Sequence, residues 1–129
     1  MNKEKGQVLV VFIILIPVFF MLAAIFIDLG IVFMEKRNID NVVKDTIKYG
    51  VKHLELDEEI LKYDLGHIIY DNIEDINYLD INIENEIIKI RLNKKQEGTF
   101  SIIFNKYNYD IESNYRGYMN NDEIVIKKE

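Results

Sequence analysis

From Val8 to Ile27 every side chain is apolar, and the only residue in the run that disfavours a helix is Pro17. About 20 residues at ~1.5 Å rise each are enough to cross the ~30 Å hydrocarbon core of a bilayer. A small soluble domain has little use for a helix that is apolar on every face. The run therefore reads as a membrane-spanning helix. Pro17 would cost about 3 kcal/mol inside a soluble helix, but a spanning helix tolerates it as a mild kink because neighbours re-satisfy the freed carbonyl.

The tail Met1 to Gly6 carries Lys3 and Lys5. A basic tail before an apolar run also opens secretory signal peptides. Here the run exceeds the usual ~7–15-residue signal core. The nearest small residues, Ala23 and Ala24, are followed by further apolar residues at Ile25, Phe26 and Ile27. A secreted protein cut in this region is the alternative topology.

Beyond the span the chain is polar and acidic. The 22 Asp and Glu against 16 Lys and Arg give a net charge of −6, and nearly all of these charges lie after the span. Such a domain is a poor partner for nucleic acid, whose phosphates need the opposite sign. It is equally unsuited to lying on an anionic leaflet. There is no cysteine, which excludes disulfides, thiol catalysis and Cys-based zinc sites. The length fits a tail and span over residues 1–34 and one small domain over 35–129.

Asp28 is the one charge in the extended apolar region, because Leu29 to Met34 is apolar again apart from Gly30. Its position suits a carboxylate at the headgroup boundary; the functional reading is an intramembrane charge paired with a neighbouring subunit. Ala23 and Gly30 lie seven apart, on one side of a helix, where small residues permit close helix approach.

The helix is expected to continue beyond the membrane. Ile39, Val42, Val43, Ile47, Val51 and Leu54 repeat at three and four, with charged residues between them. The spacing predicts one helix from about Gln7 to about His53, whose upper half buries its stripe against another surface. Asp57, Glu58 and Glu59 provide a cap and acids for a second helix start. That helix runs on Ile60, Leu61, Leu65, Ile68, Ile69 and Ile73 towards Asp75.

After Ile76 the period becomes two. Leu79, Ile81 and Ile83 alternate with polar residues, Glu84-Asn85-Glu86 reads as a turn, and Ile88, Ile90 and Leu92 alternate again. The pattern predicts a hairpin with one apolar face. Lys94 to Gly98 reads as a polar loop. Phe100, Ile102 and Phe104 suggest a third strand, and Tyr107, Tyr109 and Ile111, running towards Tyr115 and Tyr118, suggest a fourth. Asn120-Asn121-Asp122 is a turn before a short last strand with Ile124 and Ile126. The expected fold class is α+β: a long spanning helix continuing into a small domain, with a second helix packed on an antiparallel sheet.

No catalytic arrangement stands out, and the expectation is a non-enzyme without cofactor or metal. His53 and His67 are the only histidines, fall on different helices, and lack the converging partners that a zinc site needs. No glycine-rich phosphate loop exists, and Ser101 and Ser113 have no nucleophile context. The tyrosines from Tyr107 to Tyr118 read as half-buried strand residues. Taken as a surface, they would suit an anchored sensor or ligand-binding module, which is the alternative function.

Gly6-Gln7, the apolar run with Phe12 and Pro17, and then Asp28-Leu29-Gly30 resemble the TadE/TadG-like proteins of tight-adherence (Flp-type) pilus systems. Arg37, Asn41, Asp45 and Gly50 continue the likeness in register; positions that are alanine-rich in the TadG-like branch carry Val42, Val43, Thr46, Ile47 and Tyr49 here. The resemblance covers about Lys5 to Gly50. It implies a pilin-like, single-span subunit with its N-terminus in the cytoplasm and its domain outside. The implied partners are the membrane and other pilin-like or platform subunits, with oligomer formation possible. Pilin-like precursors are cut after a glycine, which makes Gly6 the candidate processing site. They also carry glutamate at the fifth mature position, where this chain has Val11. The TadG-like branch generally lacks that glutamate, and its resemblance implies an anchor that stays attached.

Overall fold

The computed structural model describes residues 3–98 and 108–129. Helix α1 spans Lys3–Lys52 and helix α2 spans Glu58–Asn72. Four strands come after them among the described residues: β1 (Ile76–Glu84), β2 (Ile87–Glu97), β3 (Asn108–Asn120) and β4 (Glu123–Lys128). The protein is α+β, as the change from helical to alternating period indicates.

Helix α1 runs unbroken for 50 residues through Pro17. Its first part is long and apolar enough to cross a membrane and stands almost wholly uncovered by the rest of the chain. Its upper part carries the stripe Ile39, Val43, Ile47 and Val51, all buried. Helix α2 contributes Leu61, Leu65 and Ile69, followed by Ile73. Asp57 occupies the N-cap position of α2, but its side chain makes no capping hydrogen bond. Its carbonyl accepts from the amide of Leu61 at 2.9 Å, so the helix starts on backbone bonding.

The four strands form an antiparallel sheet in the order β1-β2-β3-β4. Both hairpins turn in two residues, with positive φ at Asn85 and Glu86 and at Asn121 and Asp122. Paired positive φ values match the right-handed twist of the flanking strands. The register puts Ile83, Ile88, Gly117 and Ile126 in one row across the sheet, and Ile81, Ile90 and Tyr115 in the next. Ile88, Ile90, Leu92, Ile111 and Tyr115 are buried under the helices. Each fully buried branched side chain contributes about 1.5–3 kcal/mol by leaving water.

Two glycines set how closely the layers approach. A Cβ at Gly117 would stand 2.1 Å from Cγ2 of Ile47, and one at Gly50 would stand 2.5 Å from Cδ1 of Ile88. Helix α1 therefore rests directly on the backbone of β3, while its own backbone at Gly50 receives Ile88 and Leu65.

The structure corrects one sequence expectation. Lys94 to Glu97 is strand rather than loop, paired with Ile111 to Asn108 of β3. The run looks polar because Lys94, on the helix-facing side, reaches an ionic partner instead of an apolar one. The strand expected over Phe100, Ile102 and Phe104 lies outside the described residues, as does Tyr107.

Candidate functional site

The polar residues that the fold gathers lie where α1 leaves its bare segment and meets β2 and β3. Lys94 is 6 % exposed, and its ammonium donates to Glu35 of α1 at 2.8 Å. One helical position on, Lys36 pairs with Asp40 at 2.8 Å and also donates to the backbone carbonyl of Glu112 on β3. Asp40 in turn accepts from the fully buried hydroxyl of Ser113 at 2.7 Å. Tyr115 completes the group, with Lys44 placed over its ring at 5.1 Å from the centroid. Burial pushes the Tyr115 phenol above its ordinary 10.0, and the charge of Asp40 and a hydrogen bond to it push in the same direction.

This constellation bonds one helix to two strands. Ser113 hydrogen-bonds a carboxylate, with no histidine positioned to take its proton. Asp40 neutralises Lys36 and orients two hydroxyls. These groups hold the base of the domain onto α1, because Asp40 is bonded both within its own helix and to β3.

Asp28 extends the same side of the helix downward. It is 1 % exposed, lies one turn beyond the buried Ala24, and is engaged within the chain. Ala23 and Gly30 lie on the other side of α1 and are exposed; a Cβ at Gly30 would meet nothing within 4 Å. The structure therefore does not bring Asp28 together with Ala23 and Gly30. Gly6 lies in the first turns of α1, also in open surroundings.

The histidines are apart, with His67 on α2 and His53 in the turn after α1 rather than on a helix. His53 Nδ1 donates to the carbonyl of Tyr49 at 2.7 Å, and the two rings stack with centroids 4.1 Å apart. His67 pairs with Asp71 at 2.8 Å on the outer face of α2. With Tyr63 and Tyr70 it lines a shallow indentation of about 320 Å³. Among the described residues, no group of three or more His, Cys, Asp or Glu could hold a metal ion. The tyrosines of β3 do not form an exposed surface: Tyr115 is buried, and Tyr109 and Tyr118 are half-buried.

Sequence reasoning singled out Asp28 but missed Asp40, Lys94, Ser113 and Tyr115. Asp40 lies one position after the buried Ile39, so it can reach the sheet beside the apolar stripe; that spacing was the available signal. Lys94 keeps the alternation of Ile88, Ile90 and Leu92, and a strand continued by period alone would have included it. No protein-family model, no curated protein and no solved structure matches the chain.

Proposed function

We propose that this chain is a single-span membrane protein, pilin-like in construction, that takes part in assembling a Tad/Flp-type pilus or related secretion structure. It contributes no catalysis; its work is helix packing in the membrane and protein contact through the outer domain. The observation that carries the reading is the single unbroken α1, whose lower half is bare and apolar and whose upper half is the spine of an α+β domain. Asp28-Leu29-Gly30 at the junction of the two halves supports it, as does the resemblance from Lys5 to Gly50. The N-terminus is cytoplasmic and the domain lies outside.

Deletion of the chromosomal copy tests the function. Loss of surface pili or adherence, restored by the gene in trans, is expected; unchanged piliation in a strain without a second copy would refute it. The aromatic indentation at Tyr63, His67 and Tyr70 favours one other reading, an anchored ligand-binding module. In that case deletion leaves pili intact.

A further inference from the structure

Charge is unevenly placed in the outer domain. Residues 55–75, which contain α2, hold eight acidic side chains against the one base Lys62, a net of −7 in a chain whose total is −6. Helix α2 buries Leu61, Leu65 and Ile69. Its outward side therefore carries Glu59, Tyr63, His67, Tyr70 and Asp71, all exposed. The cations of the sheet gather on the other side of the domain, on the face turned away from the helices. There the register sets Lys89 of β2, Arg116 of β3 and Lys127 of β4 directly beside one another, with Arg91 next along β2. Like charges directly opposite each other across strands destabilise a sheet. Glu129 lies 3.8 Å from Lys89 and 3.5 Å from Arg91. Arg116 and Lys127 are exposed and have no ion pair among the described residues. The acids of this face stand at its margins, Asp80 and Glu84 on the edge strand β1 and Asp110 and Glu112 towards the base.

The two surfaces stand at one level along α1. Gly50 packs against Leu65, in the middle of α2, and against Ile88, the residue before Lys89. Ile47, one turn earlier, lies on Gly117, the residue after Arg116. That level is well clear of the bilayer in the proposed topology. Lys36 bonds to the base of the sheet at Glu112, and Ile47 is eleven residues further on, about 16 Å at ~1.5 Å each. Screening confines electrostatic reach to ~8 Å at physiological ionic strength. Lipid phosphates therefore lie too far below the basic row to neutralise it.

We infer that the basic row of one copy receives the acidic outward side of α2 from a second copy standing beside it. The chain itself supplies both halves of the complementary pair. Copies held by the same span share orientation and height, so the two surfaces meet without vertical offset. Glu59 and Asp71 bring carboxylates to the row, and Tyr63 and Tyr70 offer ring faces to its cations. The two surfaces occupy opposite sides of one domain, so the contact is heterologous. Each pairing leaves one half of each copy unfilled, and copies extend into a row or close into a ring. The inference deepens the proposed function by naming a partner and its surface, and rests on that reading for the shared orientation of the copies.

Two differently tagged full-length copies, co-expressed and captured through one tag from gently solubilised membranes, report the contact. Arg116→Glu with Lys127→Glu reverses the row, and Glu59→Lys with Asp71→Lys reverses the helix. Capture between two copies of either variant should fall several-fold. Capture between one copy of each variant should return to the wild-type level, because reversed row then meets reversed helix. Salt that shortens the screening length to ~3 Å should lower wild-type capture several-fold. The neutral pair Arg116→Gln and Lys127→Gln, which leaves folding least disturbed, should give an intermediate loss. Wild-type capture with the reversed or the neutral row would overturn the contact, as would a mixed pair that regains nothing although both variants keep the wild-type melting temperature. A different acidic protein lost with the reversed row but not with the reversed helix would overturn the second copy as the occupant. Piliation scored in the same strains separates the two readings: wild-type copies that are not captured together, while pili still depend on the gene, overturn this contact and leave the proposed function standing.

Discussion

Gly117 shows how a single side chain can decide the spacing of a layer. Its φ is not in the left-handed region, so what excludes a side chain there is the stem of Ile47 above it. Gly117→Ala forces α1 or β3 to move, and overpacking of this kind destabilises by about 1–3 kcal/mol; denaturant unfolding of the detergent-solubilised chain measures it. Tyr115 carries a pH dependence. Its phenol is raised above 10.0, first by burial and then by Asp40, so the folded state favours the neutral form. That contribution is fully present below pH 10.0 and is lost as pH rises through the higher folded value. The wild-type melting temperature should therefore fall more steeply above pH 10 than that of Tyr115→Phe, as thermal scans across the alkaline range would show. Neither residue was legible as critical in the sequence. A glycine between Arg116 and Tyr118 gives no sign of what lies above it, and Asp40 and Tyr115 are joined only by the fold.

The elements themselves were largely readable, because each has a strong period. The apolar run and the stripe from Ile39 to Val51 specify α1, and the alternation from Leu79 to Leu92 specifies the first hairpin. The end of β2 was obscured by Lys94, whose buried ammonium is satisfied by Glu35 fifty-nine residues earlier; no local pattern reports a bond at that separation. The start of α2 shows the opposite discrepancy, with a favourable cap residue, Asp57, whose side chain is not used. The hairpin turns were legible as polar triplets, yet they lack glycine, and Glu86 adopts φ 63°. A left-handed conformation costs a non-glycine residue about 1–2 kcal/mol, and asparagine-glycine is the favoured pair for such turns. Glu86→Gly should therefore stabilise the domain, by up to about 1 kcal/mol after the added unfolded-state entropy. A rise in denaturation midpoint without a change in slope would establish it.

At the scale of the whole molecule, a bare apolar segment and a folded domain share one helix. Sequence alone pointed to that sharing, since no proline and only Gly30 separates Asp28 from Gly50. What it did not show is that Ala24 and Asp28 are already buried, below the point where polar sequence begins. The proposed orientation gives a direct expectation. A small epitope after Glu129 should be reached by antibody on cells with a permeabilised outer envelope and intact inner membrane, while one before Met1 should need lysis of that membrane. The reverse pattern would invert the topology.

The continuity of α1 also has a mechanical consequence. With no break in the helix between its bare apolar segment and the domain, the two behave as one stiff rod, and in the proposed topology its angle in the bilayer fixes where the domain stands. Spanning helices tilt by about 20° on average, and roughly 26 residues at ~1.5 Å separate mid-membrane from the middle of the domain. Such a tilt moves the domain sideways by roughly 13 Å. In the proposed topology, any change in bilayer thickness or helix packing is thereby turned into lateral displacement of the domain.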